Sequence, residues 1–458
     1  MDGHWLASSW LVLPDANGGG RGLIPVVRKK DFRGRGNKRR GSHVGSGTAL
    51  FGSSLAATGY SDMIKHPFRP AASLRAIALA AGLVTLSAGG AVRAEEVADA
   101  SADEDGLTFK TGDVEFNLGG RLHLDAAVFE HGLTDGSDAD VRRARLEFSA
   151  KFGDVVTVRV DREFAQADGW RNLWLAVEPV EGLEIKGGNM IVPFSMEDMQ
   201  SSNAMALAER SLANAFSPGF GLGGSVKYAG EGFTIAGGYF TDALDDEVGQ
   251  SRVRGDGFVL RATFAPIRER ESFLHLGAAY EHRAFNAAEP PRFTAISASS
   301  LAPSLSSTGA LTGARTLDAY NAEFAYARGP VQVQAQYIAA TIDRVAAPSL
   351  DLNGWYVGAG WLVTGERYGY SRSSGVPSGA RIGKKGGAVE LNARYSRADL
   401  DDAALDRGTA SILSAGATWY ITRNIRVLAN YAHTRTAGRA LVPDASGNLG
   451  VVRFQLEF

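Results

Sequence analysis

The sequence predicts an all-β fold: a closed antiparallel transmembrane β-barrel of about sixteen strands, with one long connection folded inward. Three observations lead there. From residue 119 onward, apolar and polar residues alternate with a period of two in one segment after another, so each strand has one greasy and one polar face. The polar face carries many charges, which soluble sheets packed on a core do not usually sustain over so many strands. The final eight residues repeat the pattern, with Val452, Phe454, Leu456 and Phe458 on one parity and Arg453, Gln455 and Glu457 on the other.

Composition narrows the alternatives. The chain has 458 residues, 56 Gly against 15 Pro, and no Cys, which excludes disulfide frameworks and thiolate metal sites. Mean hydropathy is −0.10. After the leader region no run of about 20 apolar residues occurs, so transmembrane helices are not expected. Barrel strands escape such scans because every second residue is polar. The formal net charge of −2 hides two unlike parts: residues 1–94 hold 13 Lys and Arg against 4 Asp and Glu, so the remainder stands at −11.

Residues 1–62 are rich in Gly, Ser and Arg and have no core-forming periodicity, as expected of a disordered or upstream-start segment. Met63 then opens a charged stretch (Lys65, Arg69, Arg75), an apolar run over 76–86 and Ala91-Val92-Arg93-Ala94. That is the layout of an export signal over 63–94, with cleavage after Ala94. A basic tail ahead of an export signal argues against nucleic acid as the partner. Residues 95–118 form a short N-terminal segment, and the barrel is expected over 119–458.

In order, Leu122, Leu124, Ala126 and Val128 alternate with Arg121, His123 and Asp125. Ala144, Leu146, Phe148 and Ala150 follow against Arg143, Arg145, Glu147 and Lys151, and Val156, Val158 and Val160 against Thr157, Arg159 and Asp161. Short turns at 152–154, 229–231 and 328–330 suit the periplasmic side. Longer polar connections at 131–140, 241–255, 284–315, 364–386 and 397–410 suit the outer side. Trp355, Trp361, Trp419, Tyr420 and Tyr431 stand where an interfacial girdle is expected.

Residues 191–222 break the alternation. Pro193 and Pro218 bracket a segment with Met, Leu and Phe and a short helical pattern around Met205 to Leu212. A loop this long inside a barrel is usually functional. Folded inward, it would narrow the lumen.

This segment carries a family resemblance. Gly188, Pro193-Phe194-Ser195-x-Glu197, Ser201-Ser202, Glu209-Arg210-Ser211-Leu212 and Ser217-Pro218-Gly219 resemble the signature of the phosphate-selective porin O and P family. So do 142–148, Leu362-Val363-Thr364-Gly365-Glu366-Arg367, Glu390-Leu391-Asn392-Ala393-Arg394-Tyr395, and Trp419-Tyr420 with Asn424 and Asn430-Tyr431. The terminal strand also resembles the C-terminal signal of outer-membrane barrels, implying that Phe458 engages the barrel assembly machinery. The resemblance implies a homotrimeric, sixteen-stranded porin in the outer membrane of a Gram-negative bacterium. It would let small anions such as phosphate or polyphosphate diffuse through, with no cofactor or metal.

Parity puts Arg121, Arg143, Arg145, Arg159, Arg261, Arg283, Arg394 and Arg426 on the lumen face. Arginine suits an anion path because its planar fork stays charged and binds phosphate oxygens in pairs. By resemblance, Arg121, Arg143, Arg261 and Arg283 fall on an arginine ladder along the wall. The constriction loop is expected to present Glu197, Asp198, Asn203, Glu209 and Arg210, with Glu209 and Arg210 pairing locally to hold it. Asp198 and Asn203 stand where the resemblance implies lysines, and an acid at the narrowest point would repel a divalent anion. A weakly selective general porin is therefore the alternative. An outer-membrane hydrolase would need a nucleophile, a base and an orienting acid together, and no Ser sits in a nucleophile-elbow context.

Overall fold

The computed structural model describes residues 99–103, 106–131, 134–166, 168–245, 253–383, 386–441 and 443–458. The expected upstream segment and export signal lie outside these.

Among the described residues, sixteen strands form the barrel, each antiparallel to the next. They are β1 Val114–His131, β2 Thr134–Phe152, β3 Val156–Glu163, β4 Gly169–Val180, β5 Leu183–Ile191, β6 Phe220–Ala229, β7 Phe233–Thr241 and β8 Gly255–Arg268. The second half comprises β9 Ser272–Phe285, β10 Ala314–Arg328, β11 Val331–Arg344, β12 Ala347–Leu362, β13 Ala388–Asp399, β14 Thr409–Tyr420, β15 Ile425–Ala437 and β16 Ser446–Glu457. β16 returns to β1 in register from Gly447↔His131 to Glu457↔Arg121, which closes the sheet and leaves no free edge along that seam. Phe458 completes the closure by exchanging backbone hydrogen bonds with Gly120.

Alternation in the sequence becomes inside and outside in the barrel. On β8, Phe258, Leu260 and Phe264 face out, while Val259, Arg261 and Thr263 are buried. On β16, Val452 is half exposed while Arg453 and Gln455 are buried. In the expected girdle, Trp361, Trp419 and Tyr431 are exposed. Tyr420 is not: it points inward and its hydroxyl donates to Glu390 Oε2 at 2.6 Å.

Three sequence expectations need correction. β1 begins at Val114, not at 119, and a hairpin of Asp99–Asp103 and Gly106–Thr111 extends the sheet beside it through Leu107↔Leu118 to Thr111↔Val114. Most of 131–140 is strand, paired out to His131↔Thr134. The connection after β12 does not belong to the outer side. β12 runs towards the end that carries Phe458 and the short turns, so the connection that starts at Val363 emerges there. Length and polarity suggested an outer loop, but only the direction of the preceding strand decides the end.

The wall is uneven. β3 and β5 to β7 have 8 to 10 residues, whereas β8 to β12 have 14 to 16.

Candidate functional site

Among the described residues, three connections supply most of the contents of the barrel: 192–219 between β5 and β6, 286–313 between β9 and β10, and 363–383 between β12 and β13; Asp242, Asp245 and Arg254 of the β7–β8 connection add to the lining of the cavity. The first is set off by Gly188, whose φ of 133° is unfavourable to a side chain, and where a Cβ would collide with the Leu173 carbonyl. Its helical turns are Met196–Met199, Ser202–Ala204 and Leu212–Phe216, so the expected helix at 205–212 is absent.

Inward-facing side chains of many strands hold this segment. Arg142 forms a bidentate pair with Glu209 (2.7 and 3.0 Å), and Arg453 reaches the same carboxylate at 3.2 Å and the Ala208 carbonyl at 2.6 Å. Glu209 therefore pairs with the wall, not with Arg210 as expected from adjacency. Burial pushes its carboxyl up, but Arg142, through charge and hydrogen bond, together with Arg453 and Arg143, outweighs this and holds its pKa down at about 2. Arg142 can do this because of a bulge: His123 pairs with Arg143 and Leu124 with Val141, leaving Arg142 as the extra residue. Two consecutive arginines thus lie buried, which strict alternation forbids.

Glu197 accepts from Arg394 Nη1 at 3.2 Å and from the Ser211 hydroxyl and amide. Arg210 Nε lies 3.1 Å from Asp198 Oδ1, and the Ser217 hydroxyl donates to the same carboxylate. Asp198 is thereby neutralised and largely buried. Asn203 is engaged too: its Oδ1 lies 3.3 Å from His123 Nε2. None of the five loop residues is an unattached polar group at an open mouth.

The apolar side of this segment fills part of the interior. Leu212 and Phe216 pack with Phe293 and Leu305 of the second insert, and with Leu317, Ile338, Leu350 and Ile412 of the wall. The Phe216 and Phe293 rings stack at 5.6 Å. Asn321 Nδ2 donates to the Phe194 carbonyl, Gln336 Nε2 to Ser195 Oγ, and Asn392 Nδ2 to the Ala206 carbonyl. The β10 to β16 side is thus packed.

The third insert, with its hairpin Arg367–Ser371 and Val376–Arg381, also reaches inward-facing residues. Arg261 donates to the carbonyls of Ser374 and Gly375 at 3.2 and 2.9 Å while paired to Glu323. Tyr370 meets His275 at 2.9 Å, and Tyr368 donates to Glu390. Arg261, expected on the anion path, is committed to this hairpin.

A cavity of about 100 Å³ remains against β11 to β13, between Gln332, Gln334 and Arg394, and a larger one lies against β1 to β5. A cavity of about 450 Å³ is lined by Arg121, Arg143, Arg145, Arg159, Arg171, Lys186, Arg210, Arg254 and Arg283, against Asp198, Asp242 and Asp245. Carboxylates of the wall pair with several of these cations: Glu147 with Arg121 and Arg159, Asp161 with Arg159, Glu163 with Arg145, and Glu281 with Arg283. Those four carboxylates do not line the cavity, and three of them are almost fully buried. Arg121 and Arg145 stand directly opposite each other, a like-charge pair that would be unfavourable without Glu147 and Glu163 beside it.

Of the four ladder residues, then, Arg121, Arg143 and Arg283 meet at the cavity and Arg261 does not. Arg171, Lys186 and Arg254 line it without having been expected. Lys186 shares parity with Glu184 against Ile185, so alternation could have found it. Arg171 shares parity with the outward Leu173, and only the register shift between Val160 and Arg162 turns it. Among the described residues no group of three or more His, Asp or Glu is placed to hold a metal.

The phosphate-selective porin O and P model matches residues 116–458. The chain belongs to that family. It is accordingly an outer-membrane porin of a Gram-negative bacterium. Porin O of Pseudomonas aeruginosa is 26% identical over 382 residues, covering 72% of this chain and 86% of that protein. An uncharacterized Caulobacter vibrioides protein is 26% identical over 354 residues, covering 70% and 69%. Among solved structures, OmpT of Vibrio cholerae overlays with a TM-score of 0.49 at 14% identity, covering 77% of this porin and all of that chain.

Proposed function

We propose that this porin conducts small anions, phosphate and polyphosphate among them, through the eccentric passage beside β1 to β5. The observation that carries the reading is the lining: nine cationic side chains against three acids around one open cavity. Several moderate cationic sites in sequence attract an anion without trapping it. The segment 192–219 acts as the constriction, because its outer face closes one side of that cavity through Asp198, Ser202, Arg210 and Ser217.

Asp198 does not repel the permeant in this reading, since Arg210 and Ser217 neutralise it. Asn203, bound to His123, supplies no charge where a lysine would. Strong phosphate binding is therefore not expected, and phosphate should block chloride current only weakly. Reversal potentials across planar bilayers in a salt gradient test the reading: anion preference is expected, and cation preference would overturn it. We further propose a homotrimer that packs its low walls, β3 and β5 to β7, together. Unheated electrophoresis of the extracted protein should show a species three times the monomer mass.

A further inference from the structure

The cavity is not lined by charge alone. Trp174, Met190, Met199, Pro218 and Phe220 also face it. Trp174 and Met199 are the rims of the two packed clusters, half-buried where those clusters meet open space. The Trp174 and Phe220 rings stand beside cations that line the same cavity. The Lys186 ammonium is 4.3 Å from the Trp174 ring centroid, and the Arg171 guanidinium is 5.7 Å from that of Phe220. Asn172 fixes the Trp174 ring by accepting from its indole N–H at 3.2 Å.

Ring and cation are thus adjacent twice on one passage. Inorganic phosphate would use the cations and gain nothing from the rings. A solute with an anionic group fixed to an apolar ring would gain from both, through charge pairing and through ring contact in a partly dehydrated site. We propose that the passage favours aryl anions, meaning phosphate monoesters or carboxylates carried on an aromatic ring, over inorganic phosphate of equal charge. The proposal rests on the anion-channel reading and names the solute class for that site.

The test is block of chloride current in planar bilayers by phenyl phosphate and by inorganic phosphate, at a pH where both are divalent. Phenyl phosphate should reach half-block at about five- to tenfold lower concentration. Trp174→Ala should abolish that advantage, Phe220→Ala should reduce it, and Trp174→Phe should keep it. Equal half-block concentrations in the unaltered porin would overturn the proposal, as would an advantage that survives Trp174→Ala. Reversal potentials from the same membranes separate the two readings. Cation preference sinks the anion channel itself, whereas anion preference without a phenyl advantage sinks only the aryl proposal.

Discussion

The two sides of this lumen solve different problems with the same alternating strands. Against β10 to β16, inward residues such as Leu317, Ile338, Leu350 and Ile412 meet Leu212, Phe216 and Phe293, and most of the space is filled, down to a cavity of about 100 Å³. Against β1 to β5, inward residues are mostly Arg, Lys and their wall carboxylates, and the space stays open. Packing on one side positions the segment 192–219 so that its other face borders the cation-lined cavity. The contrast teaches that this segment is part of a core on one side and borders a cavity on the other.

Substitutions can break either side separately. Phe216→Ala removes a fully buried ring at the centre of the packed side. It should cost about 3–5 kcal/mol, read as a lower unfolding temperature, with anion preference kept while the segment stays docked. Glu209→Ala leaves Arg142 and part of the Arg453 contact without their buried acid, a change worth up to about 3–5 kcal/mol. Its readout is conductance: loss of the anchor should give larger or noisier single channels, and unchanged traces would deny the anchoring role.

On the open side the effects are smaller and appear in selectivity. Arg143→Ala should lower the anion-to-cation permeability ratio about two- to threefold, with the loss shrinking in molar salt as screening shortens to about 3 Å. Arg261→Ala should barely move that ratio, because Arg261 holds the 363–383 hairpin; increased current fluctuation is expected instead. If Arg261→Ala lowered the ratio more than Arg143→Ala, the division between the two sides would be wrong.

Acid titration gives the smallest effect. The Glu209 carboxyl is held at about 2, below its ordinary 4.5. Its anchoring is therefore fully present above pH 4.5 and is lost as pH falls towards 2. Conductance should hold from neutrality to about pH 4.5 and drift only below that, whereas drift beginning near pH 6 would point to another group.

Strand number, face assignment and closure were legible because a period-two pattern with charges on one face allows little else. The inward orientation of Arg121, Arg143, Arg145, Arg159, Arg283 and Arg394 came with it. Arg142 and Arg171 were not legible, since each depends on a bulge that resets parity, and a bulge leaves no mark in residue type alone. The partners of Glu209 were also hidden. Adjacency suggested Arg210, yet the bonds go to β2 and β16, 67 and 244 residues away in the chain.

By itself the sequence determined the barrel, its lipid face and the segment that interrupts it, because local alternation sets which way each side chain points. Tertiary structure alone decided which arginines line the cavity and which hold an insert. Arg261 and Arg143 look alike in the sequence, but one is capped by the carbonyls of a hairpin entering from the C-terminal end and the other opens onto the cavity. That difference comes from where the long connections lie inside a closed wall, and connections have no period to read.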